Sequence, residues 1–141
     1  CEAGHHTVGV TLPHHSLIAW QRADDLFLTM HRVSREFPPI ARFELGSQLR
    51  RSAFSVAVNI VEGFGRQPGK DRVHFLQIAS ASLAEVGYCV HAARRLGYLG
   101  DSRYPQLESE IRQTAAPLRG LMKSENRYGR EGTTRRRPVN E

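Results

Sequence analysis

Hydrophobic residues recur at spacings of three and four along most of the chain, which is the repeat of one face of an α-helix. Four segments carry such a stripe, and glycine or proline residues stand between them. We find no stretch with the period of two that is typical of half-buried β-strands. The pattern therefore predicts an all-α protein, folded as an antiparallel up-and-down four-helix bundle with short connections.

Capping residues and glycines predict where three of the helices begin and end. Ser16 is a candidate N-cap for the first helix, which should stop at the Phe-Pro-Pro sequence. The second helix is predicted to start around Phe43 and to be ended by Gly63 and Gly65. Asp71 is a candidate cap for the third helix, and Gly97 follows its last apolar position as a candidate C-cap.

The predicted fourth helix contains a proline. Pro117 lacks a backbone N–H and its ring clashes with the preceding turn, so the sequence predicts a kink or a break near Gln113. Taken together, the boundaries divide the chain into a flexible lead-in of residues 1–15, a bundle of residues 16–123 and a disordered basic tail of residues 124–141.

The charge of the chain favours anionic partners. Lys and Arg number 20 against 14 Asp and Glu, which gives a formal net charge of +6, and 18 of the 20 basic residues are Arg. A guanidinium group offers phosphate a planar set of donors and stacks on bases, so this excess is typical of nucleic-acid binding. A GC-rich genome, which replaces Lys with Arg throughout, is an equally good explanation of the Arg/Lys ratio.

Seven basic residues are candidate phosphate contacts, and antiparallel packing predicts that they form two groups at opposite ends of the bundle. The first group is Arg50, Arg51, Arg94 and Arg95, and the second is Arg66, Lys70 and Arg72. Phosphate contacts need only convergent donors, so either group suits them. The alternative is structural: some of these residues would complement a helix dipole and others would pair with nearby carboxylates.

A stripe of small and polar residues follows the second predicted helix beside its apolar stripe. Its members are Gln48, Ser52, Ser55, Asn59 and Glu62. Solvent-facing helix positions usually carry Lys, Glu and Arg, whereas small polar residues favour close helix approach. We therefore predict that the stripe contacts a neighbouring helix or forms an oligomer interface, with ligand contact and plain surface as the alternatives.

The sequence offers no pattern that is typical of an enzyme active site, a metal site or a cofactor site. The histidines near the N-terminus have no common zinc spacing, and none of the helical histidines stands beside a readable nucleophile. The glycine-rich segment 63–71 has Phe64 and Asp71 where a phosphate-binding loop needs glycine and Ser or Thr. We predict a non-enzymatic protein with no cofactor and no metal.

Compartment and membrane association are judged from cysteine use and hydropathy. The two cysteines imply no disulfide framework. Neither a signal peptide nor an uninterrupted run of about 18 apolar residues is readable, which predicts no membrane span. A cytoplasmic location is the expectation that follows.

The segment from Leu17 to about Lys123 carries a long series of residues in the order and spacing of one known family. The series is Ala19-Trp20-Gln21, Phe37-Pro38, Gln48-Leu49-Arg50-Arg51-Ser52-Ala53, Ser55, Asn59-Ile60, Glu62-Gly63, Arg66, Asp71, Phe75-Leu76, Ala79, Ser82-Leu83, Glu85 and Leu96-Gly97-Tyr98-Leu99. With these residues the chain resembles the four-helix bundle protein family, also called 23S rRNA intervening-sequence proteins. The resemblance implies a bundle that assembles as a homopentamer, a basic surface expected to bind nucleic acid, and no catalysis.

Residues and resemblance together lead to two functional hypotheses. The first is a non-enzymatic oligomeric module that binds the phosphate backbone of RNA or DNA. The second is a protein-interaction scaffold that recruits a reverse transcriptase or another nucleic-acid enzyme through the small polar stripe. The second hypothesis follows from a similarity of fold to the accessory protein of diversity-generating retroelements, which works with a reverse transcriptase.

Overall fold

The computed structural model describes residues 13–134, which form a short 3-10 turn and five helices. The helices are α1 (Ile18–Glu36), α2 (Pro39–Phe43), α3 (Leu45–Phe64), α4 (Lys70–Arg95) and α5 (Tyr104–Thr134). The four long helices pack in the ring order α1, α3, α4, α5, with α5 closing onto α1. Within residues 13–134 there is no strand. The predicted all-α four-helix bundle is confirmed, and its assembly as a pentamer stays a prediction.

The core runs along the axis of the bundle and follows the predicted apolar stripes. Each long helix contributes almost fully buried leucines, namely Leu26 of α1, Leu49 of α3, Leu76 of α4 and Leu118 of α5. Fully buried alanines on α1, α3 and α4 let the backbones of these helices approach closely. The core of the bundle is therefore built from all of its long helices, as the spacing predicted.

Helix α1 begins differently from the prediction. Residues Pro13–Ser16 form the 3-10 turn, so Ser16 lies inside this turn, and Leu17 is the residue that precedes α1. The turn holds the helix start through backbone and side-chain bonds. The N–H of Leu17 donates to the His14 carbonyl at 3.0 Å, and the amide of Gln21 donates to the His15 carbonyl at 2.7 Å. The predicted Ser16 cap is therefore wrong.

A separate short helix precedes the second predicted helix and ends where that helix was predicted to start. Pro39 occupies the first turn of the short helix α2, where its fixed φ favours helix and its missing N–H costs nothing. Glu44 then has φ −93° and ψ −96°, which is not helical, and α3 starts at Leu45. The predicted start at Phe43 is the end of α2 instead.

The two ends of α4 are made by glycines. Gly69 has φ +110° and precedes the helix, so Asp71 lies in the first turn and does not cap it. At the other end Gly97 has φ +77°, and its N–H donates to the Arg94 carbonyl at 3.0 Å. The N–H of Tyr98 donates to the Ala93 carbonyl at 2.8 Å, which completes a Schellman motif. The predicted C-cap at Gly97 is confirmed.

Helix α5 is longer and more continuous than the sequence predicted. Pro117 lies inside it without a break, so the predicted break near Gln113 is wrong, while the alternative of a kink stays a prediction. The helix also continues through residues 124–134, which the sequence analysis assigned to a disordered tail. Contacts of Glu125 with the start of α4, described below, hold this extension. Residues 1–12 of the predicted lead-in and 135–141 of the predicted tail lie outside the described residues.

Helix α4 is long and apolar enough in composition to span a membrane, although the sequence analysis predicted no span. Of its most apolar window, 44% is buried inside the bundle. Buried positions such as Leu76, Leu83, Val86 and Val90 account for that composition, because they contribute to the core. Part of the apolar composition of α4 is therefore explained by its contribution to the core.

Candidate nucleic-acid interface

Arg50, a predicted phosphate contact, forms hydrogen bonds with other residues of the same chain. One guanidinium nitrogen donates to the Ser34 hydroxyl oxygen at 3.0 Å, and another donates to the Arg42 carbonyl at 3.1 Å. The residue is half-buried, and Ser34 is fully buried. Arg50 therefore ties α3 to α1 and to the end of α2, which commits two of its five N–H donors.

The three other basic residues of the first group are exposed. Arg94 is paired: its Nε donates to the Asp101 carboxylate at 3.1 Å, and its guanidinium carbon lies 4.4 Å from the centre of the Tyr104 ring. Arg51 and Arg95 are exposed, and within residues 13–134 neither has an ion pair. Arg51 and Arg95 are therefore the cations of the first group that have no ion pair within the described residues, whereas Arg94 has an exposed and hence weak one.

At the opposite end, Arg72 is the centre of a structural cluster. Its Nε donates to the Gly63 carbonyl at 3.1 Å, and one Nη donates to the Arg66 carbonyl at 2.9 Å. The other Nη forms an ion pair with Glu125 at 3.2 Å, and the guanidinium carbon lies 4.2 Å from the centre of the Phe64 ring. Arg72 thus joins α3, α4 and α5, which explains its position without a phosphate.

The remaining members of the second group are exposed. Arg66 approaches the Glu62 carboxylate at 3.9 Å, and its guanidinium carbon lies 5.0 Å from the centre of the Phe75 ring. Lys70 is exposed and has no ion pair among the described residues. Exposed pairs such as Arg66–Glu62 are weak, so both side chains remain open to phosphate.

Lys70 borders a groove between the start of α4 and the extension of α5. Its α4 wall is Gly69, Lys70, Val73 and Gln77, and its α5 wall is Glu125, Asn126, Gly129 and Arg130. The groove has a volume of about 400 Å³. A second depression next to it is lined by Lys123, Asn126, Arg127 and Arg130. Cations from two helices therefore converge on one concave surface.

The α5 half of this groove was not predicted from the sequence. Lys123, Arg127 and Arg130 fall at spacings of four and three, which places them on one face of a continuous helix. This helical spacing is the sequence feature from which the basic face of α5 could have been predicted. It was overlooked because the glycines and the low apolar content after residue 124 were interpreted as disorder.

The small polar stripe of α3 faces α4 of the same chain. Gln48 donates a hydrogen bond to the Glu85 carboxylate, and the hydroxyls of Ser55 and Ser82 are hydrogen-bonded at 2.7 Å. Ser52 is buried and donates to carbonyls of its own helix. The predicted contact with a neighbouring helix is present for Gln48 and Ser55, and it accounts for these two residues without a second subunit.

The other two members of the stripe lie nearer the surface. The Asn59 amide donates to the Ser55 carbonyl at 2.8 Å and to its hydroxyl oxygen at 3.0 Å. Glu62 is exposed beside Arg66. A role of the stripe in an oligomer interface remains a prediction.

The titratable groups with shifted pKa values are packing residues. Burial, with a smaller contribution from His15, lowers the pKa of His14, whose ring packs 4.9 Å from the Trp20 ring. Burial and the nearby Glu85 raise the pKa of the Cys89 thiol, although a hydrogen bond with Ser52 opposes this. Among the described residues no group of His, Cys, Asp and Glu side chains has the arrangement of a metal site.

Comparison with solved structures reveals the same fold elsewhere. A protein of unknown function from the S23 ribosomal protein family of Bacteroides thetaiotaomicron matches with a TM-score of 0.70 and 19% sequence identity. The match covers 75% of this chain and 96% of that chain. At this identity the likeness shows a shared fold alone. A comparison with curated proteins found no match.

Family membership is decided by sequence. The family model described as 23S rRNA-intervening sequence protein matches residues 15–120, which span α1 to α4 and the first half of α5. The matched region includes the polar stripe and all seven predicted basic residues, but it ends before the basic face of the α5 extension. The chain belongs to the 23S rRNA-intervening sequence protein family.

Proposed function

We propose that this protein binds nucleic acid through the phosphate backbone and catalyses no reaction. One observation carries the proposal: Lys70 of α4 and Arg130 of α5 border a single groove, with Lys123 and Arg127 beside it. Basic side chains from two helices suit a chain of phosphates, which needs several convergent donors and no precise geometry.

Two further features support this proposal. Arg51 and Arg95 are exposed at the other end of the bundle, and the chain as a whole has a formal net charge of +6. The name of the family refers to intervening sequences of 23S rRNA, so structured RNA is the first ligand to test. Backbone binding of this kind is expected to be insensitive to base sequence and sensitive to salt.

The test is a titration of fluorescently labelled RNA and DNA hairpins at several salt concentrations. We expect binding at low salt and an affinity that falls steeply as salt rises. Replacing Lys70, Arg127 and Arg130 together with Gln should lower the magnitude of the log–log salt slope by about 2 to 3, since each lost contact to duplex DNA contributes about 0.9.

The matched control is Arg32→Gln, which removes an exposed cation from α1, away from the groove. It should leave the salt slope within about 0.5 of the unsubstituted protein, because no phosphate contact is lost. Absence of binding at low salt, or a slope near zero, would eliminate the proposal. A reduction of the salt slope by the triple variant of no more than three times that by Arg32→Gln would show that net charge alone is responsible and that the groove is not the site.

We also infer that the chain functions as an oligomer. The outer face of α3 carries Phe54, Val58 and Val61 at helical spacing, and Phe54 is 54% exposed although its ring packs 5.8 Å from that of Phe27. An apolar strip of this kind supports contact with a second copy. Light scattering on the purified protein should give a multiple of the chain mass, five-fold for a pentamer, and Phe54→Asp should reduce it. A monomer at all concentrations would contradict the inference.

A further inference from the structure

Tyr88 is the most exposed tyrosine of the described chain and lies far from the basic groove. Its side chain is 70% exposed on the outer face of α4. The residues one and two turns before it on the same face are Ala84 and Ala81, both exposed and too small to cover an aromatic ring. One side of the Tyr88 ring is therefore open, and core packing does not explain the residue.

His91 and Arg95 continue this face of the helix. Positions 88, 91 and 95 are three and four residues apart, so their side chains project from one side of α4. The rings of Tyr88 and His91 have centres 6.3 Å apart and are inclined by only 28°. Arg95 is exposed and has no ion pair within residues 13–134. Two nearly parallel rings and one available cation thus share a surface.

Arg95 is the positively charged group beside these rings. The nearest carboxylate on the same helix face is Glu85, one turn before Tyr88, and it accepts a hydrogen bond from Gln48. Unpaired bases stack on exposed aromatic side chains with little preference for sequence, and a neighbouring guanidinium can contact the phosphate. A fully paired duplex keeps its bases stacked on one another and cannot use such a surface.

We propose that Tyr88 and His91 form a stacking platform for an unpaired base and that Arg95 contacts the adjacent phosphate. The proposal rests on the proposed function and specifies its ligand: single-stranded or looped nucleic acid in preference to a continuous duplex. Tyr88 lies 18 residues after Lys70, about 27 Å along the helix at 1.5 Å per residue. The platform and the basic groove are thus separate parts of the surface and can be altered independently.

The experiment compares the binding of a labelled single-stranded oligonucleotide with that of a blunt, fully paired duplex by fluorescence anisotropy at one low salt concentration. Tyr88→Ala should weaken binding of the single strand at least about five-fold, the effect of losing one stacked base, and leave duplex binding unchanged. Tyr88→Phe should retain single-strand affinity within about two-fold, because stacking needs the ring and not the hydroxyl. The matched control is Phe43→Ala, which removes a ring that is 84% exposed on α2.

The outcomes separate this proposal from the proposed function. If both ligands bind with a steep salt dependence and Tyr88→Ala changes neither affinity, the proposed stacking platform is overturned. The proposal of backbone binding then remains intact. Failure of the unsubstituted protein to bind either ligand would overturn both. Equal losses for the single strand and the duplex, or a change of mass in light scattering for Tyr88→Ala, would assign the ring to folding or subunit contact and also overturn the platform.

Discussion

The ion pair between Arg72 and Glu125 tests how the bundle holds the C-terminal extension of α5. The two groups are 3.2 Å apart, and their side chains are only 14% and 12% exposed. Glu125 also accepts a hydrogen bond from the backbone N–H of Gly69 at 3.3 Å. Replacing Glu125 with Leu removes both acceptors and leaves the Arg72 guanidinium without its carboxylate partner in a mostly buried position.

The size of the expected effect follows from the geometry. Two unit charges 3.2 Å apart attract each other by about 5 kcal/mol at an effective dielectric constant near 20. Desolvation offsets part of this attraction, and loss of one partner of a buried pair costs about 3–5 kcal/mol. Because Arg72 keeps two carbonyl acceptors, we expect Glu125→Leu to lower the free energy of unfolding by about 2–3 kcal/mol.

The assay is a double-mutant cycle followed by urea unfolding and circular dichroism. Glu125→Leu, Arg72→Met and the double variant should give a coupling energy of about 2 kcal/mol. All samples are measured at one protein concentration, because assembly would make stability depend on concentration. The matched cycle uses the same substitutions at Glu108 and Arg112, an exposed pair on α5 with a separation of 2.9 Å.

The exposed pair should give a coupling energy of only about 0.3–0.5 kcal/mol. A coupling energy at Arg72 and Glu125 no larger than this would refute the idea that the pair is a structural connection. A second measurement localises the effect. In Glu125→Leu, backbone amides of residues 126–134 should exchange faster, whereas those of α1 should not, since the ion pair does not involve that helix.

Three further predictions concern backbone packing and pH. A methyl group added at Gly63 would lie 3.3 Å from a backbone oxygen of α4; Gly63→Ala should therefore lower the free energy of unfolding in urea by about 1–3 kcal/mol. Gly87→Ala, with open space around the new carbon, should raise the free energy of unfolding by up to about 1 kcal/mol. Equal effects of Gly63→Ala and Gly87→Ala would contradict the packing argument. Pro117→Ala restores an N–H inside α5 and should raise the melting temperature, gaining at most about 3 kcal/mol; a lower melting temperature would show that the proline is required. Because the pKa of His14 is lowered in the folded protein, its stabilising contribution is complete above the ordinary pKa of about 6.5 and is lost as the pH falls from there through the lower pKa of the folded state. Emission of Trp20, the single tryptophan, should change below that pH, and His14→Phe should diminish the change.

The fold was predictable from the sequence because helix periodicity is a local property. Leu49, Val56 and Ile60 are spaced to share one face of any α-helix, and all three are fully buried in the structure. Gly97 was predictable for the same reason: only a few neighbouring residues make the turn that requires its positive φ. The spacing of apolar residues and the residues that end helices, all within some twenty positions, were thus sufficient to predict the four long helices. The short helix α2 and the extension of α5 were not predicted.

The tertiary structure alone decided which polar residues are available to a ligand. Arg50 and Arg51 are adjacent in the sequence, yet Arg50 is tied to Ser34 and Arg51 is exposed, because neighbouring helix positions point about 100° apart. Arg72 is likewise indistinguishable by sequence from a surface arginine, and its partner Glu125 lies 53 residues further along the chain. Composition and periodicity determined that the chain forms a basic helical bundle. Which cations pair internally and which converge on a groove depends on long-range contacts, which only the folded chain establishes.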